Sequence, residues 1–171
     1  MKPFICIITG PAGAGKTTVS DRLAKLFDKS ARINVDEMRS MIKSGYVRPY
    51  PHTSEAKKQI KLANKATCQL AKNFVSNGFN VFIDDVVLAN SLKAYCKSFE
   101  AYSVHMFLLL PKKEVVIKRD TGRRKDQIIG ERAIELHDKF SKIKSNWHII
   151  DSSTHTVKQT VTEIFEVIKT R

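Results

Sequence analysis

The chain has 171 residues, of which 42% are hydrophobic, and a formal net charge of +13 at pH 7. This length predicts a single domain, residues 1–171, and no apolar run approaches the ~20 residues that a membrane-spanning helix needs. The three cysteines are far apart and form no CxxC pair, which argues against a zinc clamp, so we expect buried thiols in a soluble cytoplasmic protein. Its positive surface attracts anions, either nucleotide phosphates or nucleic acid, unless the lysines simply form solvated helix faces.

Five short apolar runs alternate with helical patterns along the chain. The first run, residues 4–9, lacks polar alternation, which is typical of a strand covered on both faces. Further strands are predicted at residues 32–35, 79–83, 104–110 and 147–150, and helices at 16–27, 36–43, from about 54 to a stop at Asn77 and Gly78, and at 90–99, 112–120, 131–140 and 157–168. This alternation predicts right-handed crossovers and a three-layer α/β fold with a five-stranded parallel sheet.

The segment after the first predicted strand reads GPAGAGKT, from Gly10 to Thr17. It matches the Walker A pattern GxxxxGK[ST] and lies between a buried strand and the start of a helix, as that phosphate-binding loop requires. Its glycines let backbone NH groups turn toward a β-phosphate, and the helix N-terminus adds its positive end. Lys16 is placed to bridge the β- and γ-phosphates, and the Thr17 hydroxyl to bind Mg²⁺. We predict ATP and Mg²⁺ as cofactors, and as nucleotide-binding residues Gly10, Pro11, Ala12, Gly13, Ala14, Gly15, Lys16, Thr17 and Thr18.

Acidic residues follow the second and third predicted strands. The carboxyl ends of parallel strands meet at one edge of a sheet, so we expect Asp36, Asp84 and Asp85 to face the same crevice as the phosphate loop. Asp36 is the candidate general base for an acceptor hydroxyl, and capping of the next helix is its alternative role. Asp84 is the candidate that positions Mg²⁺, with Asp85 as a substitute or a substrate contact. Arg39, one turn after Asp36, either contacts an anionic acceptor or is solvated on its helix.

A cationic segment follows the helix after the fourth predicted strand. It contains Lys118, Arg119, Arg123, Arg124 and Lys125 and has little apolar content. We predict a helical, arginine-rich lid at residues 119–132. Arg119 would contact the nucleotide and, with Arg123, offset charge on the transferring phosphoryl group while closure excludes water. The alternative is a solvated basic helix end.

Together these motifs resemble the small P-loop kinases, an AAA-family-ATPase-like group that includes chloramphenicol phosphotransferase, gluconate-kinase-like proteins, zeta toxins and the polynucleotide 5′-kinase domain. The resemblance covers nearly the whole chain and rests on the segments GPAGAGKTT, INVDEMRS, SGYVRPY, FNVFIDDVV, KRDTGRRKDQIIGERAIEL and WHIIDSS. It implies a nucleoside-monophosphate-kinase-like fold, ATP with Mg²⁺, Asp36 as the base, and Arg119 and Arg123 in the lid. Acceptors differ widely within this group, so the resemblance implies no particular substrate.

The sequence therefore predicts an enzyme, a kinase that transfers the γ-phosphoryl group of ATP to a hydroxyl of a small-molecule acceptor. The alternatives are a 5′-hydroxyl kinase of RNA or DNA, which the basic composition favours, and a nucleotide-binding switch with slow hydrolysis. The connector around Tyr46 either lines the acceptor pocket or is only packed. The predicted catalytic residues are Lys16, Asp36, Arg119 and Arg123, and the predicted substrate contacts are Asp36, Arg39, Tyr46 and Asp85.

Overall fold

The computed structural model describes residues 2–123, 125, 128–143 and 146–170. The described residues form five strands, β1 (Ile5–Thr9), β2 (Ser30–Asn34), β3 (Asn80–Asp84), β4 (Val104–Leu109) and β5 (His148–Ile150). They also form seven helices, α1 (Lys16–Ala24), α2 (Val35–Ser40), α3 (Ser54–Ser76), α4 (Ala89–Ser98), α5 (Lys113–Thr121), α6 (Glu131–Ser141) and α7 (Val157–Lys169). Each predicted strand and helix is present, although several boundaries differ by a few residues.

The strands pair in parallel in the order β2-β3-β1-β4-β5. The predicted α/β fold with a five-stranded parallel sheet is therefore confirmed. In this order, β2 and β3 lie on one side of β1, and β4 and β5 lie on the other side. The carboxyl end of β1 is therefore the point at which the order of the strands changes direction. Ligands bind at this position in open α/β sheets.

Side chains of the central strand alternate between two cores. Ile5 and Ile7 pack into the core beneath α3 and α4, whereas Cys6 and Ile8 pack into the core beneath α1 and α7. All five residues of β1 are buried, because helices cover the sheet on both faces. This is the three-layer arrangement that the apolar runs predict.

Side-chain caps fix where several helices begin. Thr53 Oγ1 accepts a hydrogen bond from the Ala56 NH at the start of α3, at 3.1 Å. Asn34 caps α2, and its Oδ1 accepts from the NH groups of Asp36 at 2.8 Å and Glu37 at 3.1 Å. The capping role considered for Asp36 thus belongs to Asn34, which leaves the Asp36 carboxylate available for other contacts.

The cysteines differ in exposure. Cys6 and Cys68 are buried, and Cys96 on α4 is exposed. The expectation of buried thiols is therefore wrong for Cys96, which lies on the outer side of an amphipathic helix. No helix in the described part of the chain combines the length and the apolar character of a membrane span.

Candidate active site

The phosphate loop is held closely against its neighbours. Gly10, Gly13 and Gly15 have φ angles of 148°, 80° and 93°, values that side chains disfavour. A Cβ on Gly10 would lie 2.3 Å from the carbonyl oxygen of Leu109, and one on Gly13 would lie 2.9 Å from that of Val116. Glycine is thus required by both conformation and space at positions 10 and 13, and by conformation alone at position 15. The loop packs directly against the end of β4 and against α5.

Lys16 folds back over this loop. Its Nζ donates hydrogen bonds to the carbonyl oxygens of Gly10 and Pro11, both at 3.0 Å. Burial lowers the pKa of the Lys16 ammonium, and the nearby carboxylates of Asp36, Asp84 and Asp85 partly offset that effect. The structure therefore brings the lysine and all three predicted acids into one electrostatic neighbourhood.

Asp84 lies beside the start of α1. Its Oδ1 accepts from Thr17 Oγ1 at 3.2 Å, and its Oδ2 accepts from Ser20 Oγ at 3.0 Å and from Arg32 Nη1 at 2.7 Å. Burial raises the pKa of Asp84, although the hydrogen bond from Ser20 and the Arg32 guanidinium act in the opposite direction. A hydroxyl and a carboxylate oxygen thus meet at the mouth of the loop, the oxygen donor set that Mg²⁺ prefers.

Asp85 points to the other face of the sheet, because consecutive residues at a strand end alternate in direction. Its Oδ2 accepts from the Tyr95 hydroxyl at 2.9 Å, and its Oδ1 accepts from the Val86 NH at 2.7 Å. Burial raises the pKa of Asp85 to about 6, although the hydrogen bonds from Tyr95 and Val86 lower it. The two adjacent acids therefore occupy different environments, and Asp84 is the one that contacts Thr17.

The raised pKa of Asp85 predicts a pH dependence of stability. The ordinary pKa of an aspartate is 3.8. Between pH 3.8 and about pH 6, the folded protein therefore holds a proton at Asp85 that the unfolded chain has released. This contribution to the free energy of unfolding is present below pH ~4 and is lost as the pH rises through about 6. We expect the wild-type protein to lose roughly 2 kcal/mol relative to Asp85→Asn between pH 4.5 and 7.5.

Urea unfolding at several pH values measures this difference. Asp28→Asn, which changes an exposed acid, should give a curve parallel to that of the wild type over the same range. Parallel curves for the wild type and Asp85→Asn would show that Asp85 titrates alike in the folded and unfolded chains, contrary to this prediction.

Asp36 and Arg39 lie together on the outer side of the crevice. Arg39 Nη2 pairs with Asp36 Oδ1, so the arginine is held on its own helix rather than solvated. The Asp36 side chain remains 73% exposed, whereas that of Arg39 is only 12% exposed. Arg39 Nε is buried and has no hydrogen-bond partner among the described residues. An exposed carboxylate with a fixed cation behind it can receive a proton from a bound hydroxyl.

A cavity of about 330 Å³ adjoins the phosphate loop. Arg119 lies across it, and its Nη2 donates to the carbonyl oxygen of Ser152 at 3.0 Å. This contact joins the end of α5 to the segment that follows β5. The cavity is lined by Gly13, Ala14, Gly15, Lys16, Thr17, Thr18, Val19, Arg119, Arg123, Ser152, His155, Val157 and Thr160.

A buried acid anchors the segment between α5 and α6. Asp120 Oδ2 accepts from the NH groups of Ile129 at 3.1 Å and Gly130 at 2.9 Å, and its Oδ1 lies 3.5 Å from Arg123 Nη1. Arg123 thereby reaches the cavity wall with Arg119. Arg124, another arginine of the predicted lid, lies outside the described residues.

The connector between α2 and α3 is packed on two sides. Gln59 of α3 accepts from the Val47 NH at 2.9 Å and donates to the carbonyl oxygen of Gly45 at 2.8 Å. At the far end, the guanidinium of Arg132 lies 4.4 Å from the centre of the Tyr50 ring, a favourable cation–π geometry. Tyr46 is exposed and forms no side-chain hydrogen bond or ring contact with the described residues, so the structure does not bring it to the other site residues.

Arg132 also connects this segment with the helix beyond the predicted lid. Its Nη2 lies 3.2 Å from His52 Nε2, and its Nη1 pairs with Glu135 Oε2 at 2.6 Å. The connector between α2 and α3 is therefore held by the first turn of α6. Sequence reasoning placed Arg132 only within the lid range and gave it no role.

A phosphate loop after the central strand, whose lysine interacts electrostatically with the acids that follow β2 and β3, is the arrangement of a P-loop kinase fold. Residues 5–140 match the family model of the AAA domain, and the chain belongs to this family. The predicted membership in the small P-loop kinase group, and the prediction that the chain is an enzyme, are confirmed.

Individual relatives match over almost the whole chain. A probable adenylyl-sulfate kinase of Pyrococcus abyssi (strain GE5 / Orsay) is 27% identical over 163 residues, which are 91% of this chain and 89% of the relative. Among solved structures, a sugar kinase from Janibacter sp. HTCC2649 superimposes with a TM-score of 0.74 at 14% identity, covering 98% of this chain and 95% of that one. Thymidylate kinase from Candida albicans gives a TM-score of 0.73 at 14% identity, covering 99% and 92%. These structures show the shared fold.

Proposed function

We propose that the protein transfers the γ-phosphoryl group of ATP to a hydroxyl group of a small molecule. The observation that carries this proposal is the position of Lys16, which binds the loop carbonyls of Gly10 and Pro11 while lying among the carboxylates of Asp36, Asp84 and Asp85. A lysine between a phosphate cradle and a proton acceptor is the arrangement that phosphoryl transfer requires.

The nucleotide would bind with its phosphates in the loop. Gly10 and Gly13 approach β4 and α5 so closely that a Cβ would clash there, so the loop would present backbone rather than side chains to the phosphate oxygens. Arg119, Ser152 and His155 line the cavity, whereas Asp36, Asp84 and Asp85 do not. We assign the base and ribose to the part of the cavity that Arg119, Ser152 and His155 line.

Thr17 and Asp84 fit a magnesium ion. Their oxygens lie 3.2 Å apart, and both are hard donors. When bound there with the nucleotide, Mg²⁺ would neutralise charge on the β- and γ-phosphates. Arg32 and Ser20 hold the second oxygen of Asp84 and so fix the direction of the first.

Asp36 is proposed as the general base. Its exposed carboxylate is oriented by Arg39, and it would accept the proton of the acceptor hydroxyl as the bond to phosphorus forms. Arg119 and Arg123, at the cavity wall, would stabilise the negative charge on the transferring group. Asp85, turned toward Tyr95, is assigned to the acceptor side of the crevice rather than to the metal.

For the acceptor we propose only a chemical class, a small molecule with a hydroxyl group. The relatives' names refer to adenylyl sulfate, a sugar and thymidylate, and sequence identities this low transfer none of these substrates to this chain. The connector from Gly45 to His52 is short and fixed at both ends by Gln59 and Arg132. Such a compact border suits a small molecule.

A transfer assay with γ-labelled ATP tests the proposal. Pools of sugars, nucleosides, nucleotides including adenylyl sulfate, antibiotics and 5′-hydroxyl oligonucleotides are incubated with protein and Mg²⁺. We expect label in one small-molecule pool, and none when EDTA replaces Mg²⁺. Label in oligonucleotides alone would replace this assignment with a polynucleotide kinase, and slow hydrolysis without any labelled acceptor would replace it with a switch.

A further inference from the structure

The two helical layers of the protein differ sharply in charge. The layer formed by α3 and α4 carries seven lysines and one acid, namely Lys57, Lys58, Lys61, Lys65, Lys72, Lys93, Lys97 and Glu55. When Lys16 is left out, the layer formed by α1 and α7 carries equal numbers of positive and negative side chains, namely Arg22, Lys158 and Lys169, and Asp21, Glu163 and Glu166. Seven lysines and one acid give the layer of α3 and α4 a net charge of +6 out of the +13 of the chain, against +1 for α1 and α7 with Lys16 included.

A row of lysines follows the outer side of α3. Lys57, Lys61 and Lys65 are exposed and four residues apart, so successive members are about 6 Å apart along the helix. They form no ion pair with the described residues, whereas Lys58 lies 3.7 Å from Glu55. Like charges at this spacing destabilise a helix by about 0.2–0.5 kcal/mol per pair. The row thus lowers the stability of this helix.

We propose that the face formed by α3 and α4 is a docking surface for the phosphate backbone of nucleic acid. The lysine row matches a polyanion in charge, and phosphate contacts made by lysine act as point charges that carry no sequence information. We therefore infer binding that is independent of base sequence. This surface is separate from the phosphate loop and goes beyond the proposed kinase activity.

The packing of α3 argues for nucleic acid over a lipid surface. A helix that binds a membrane interface inserts an apolar face between the lipids. The apolar side of α3, which includes Ala63, Cys68, Ala71 and Val75, is already buried in the core. Leu62 is the large apolar side chain that α3 exposes. The lysine row supplies positive charge, but a single exposed leucine does not form an apolar face that could insert into a membrane.

Fluorescence anisotropy with a labelled 20-nucleotide single strand, as DNA and as RNA, tests the inference. Lys57→Gln, Lys61→Gln and Lys65→Gln are combined in one variant. A control variant combines Arg22→Gln, Lys158→Gln and Lys169→Gln, which removes the same charge from the other layer. For the α3 variant we expect the slope of log affinity against log salt to decrease by about 2 in magnitude, and affinity at low salt to fall at least tenfold. The control variant should retain the wild-type slope.

Equal losses of affinity in both variants would show that only net charge matters, and would overturn the proposed docking surface. The proposal would also be overturned if the α3 variant bound as tightly as the wild type, or if the wild-type protein did not bind the oligonucleotide. Sedimentation with phosphatidylserine vesicles is run in parallel, and lysine-dependent binding to vesicles without binding to oligonucleotides would also overturn it. Transfer of label from γ-labelled ATP in the pool assay should be equal in all three proteins. Absence of transfer by the wild type, with intact oligonucleotide binding, would contradict the proposed kinase but not this surface.

Discussion

Replacing Lys16 with alanine is expected to reduce phosphoryl transfer by roughly 10²–10³-fold, the effect of removing one preorganised charge-stabilising donor. The Lys16 ammonium binds two loop carbonyls and interacts electrostatically with three carboxylates, so its removal takes away the cation that lies closest to the loop. Nucleotide affinity should also weaken, because the lysine would contact the phosphates before transfer as well as during it. Transfer of label from γ-labelled ATP to the acceptor found in the pool assay measures the first effect, and calorimetric titration with ATP measures the second.

Lys25→Ala is the matched control, because Lys25 lies just past α1 and pairs with Asp21 on the surface. Its activity should equal that of the wild type. Full activity of a folded Lys16→Ala protein would mean that the phosphates bind elsewhere, and the assignment of the loop would then be wrong.

Replacing Asp36 with asparagine is expected to lower transfer to the acceptor by about 10²–10⁴-fold, the usual contribution of a general base. Asparagine keeps the size of the side chain and an oxygen that Arg39 can contact, but it cannot accept the hydroxyl proton. The Asp36 carboxylate is exposed and forms no hydrogen bond with the loop, so ATP should bind with unchanged affinity. Transfer to the acceptor found in the pool assay is measured together with the ATP dissociation constant.

Asp28→Asn, which changes an exposed acid before β2, should leave both quantities unchanged. Normal transfer by Asp36→Asn would remove Asp36 from the reaction while leaving the nucleotide site intact. A parallel loss of ATP affinity would instead indicate that Asp36 acts through the position of Lys16 rather than on the acceptor.

The fold could be predicted because its signals are local. Unalternated apolar runs such as residues 4–9 indicate strands buried on both faces, and the stop at Asn77 and Gly78 agrees with the observed end of α3 at Ser76. The order β2-β3-β1-β4-β5 depends on contacts between distant segments, and no single stretch of sequence encodes it. The predicted helix at 36–43 ends at Ser40 in the structure, since the chain turns toward Gln59 beyond that point.

The sequence limits the carboxylate beside Thr17 to two candidates, but it does not decide between them. Asp84 and Asp85 are adjacent, and only the pleat of β3 decides which one faces α1. Phe82, two residues earlier, packs into the core on the α1 side, and Asp84 has the same orientation. The choice therefore required the register of the strand against its helices.

Other residues of the site carry little sequence signal. Arg32 contacts Asp84 because β2 lies next to β3, and Arg132 contacts Tyr50 across 82 positions of chain. In the sequence, Asp120 is an ordinary charged residue of a basic segment. In the structure it is buried and accepts hydrogen bonds from two backbone NH groups. An arginine inside a short apolar strand was the one available hint for Arg32, since a buried cation needs a partner.

The exposure of Cys96 gives the native chain a ready attachment point for a dye. Cys6 and Cys68 are buried and have raised thiol pKa values because of that burial, so both should react slowly with maleimides. A fluorophore on Cys96 would sit on α4, one residue before Lys97 and on the opposite layer from α1. Arrival of an oligonucleotide could then be followed in real time as a change in emission, in a protein with no engineered residues.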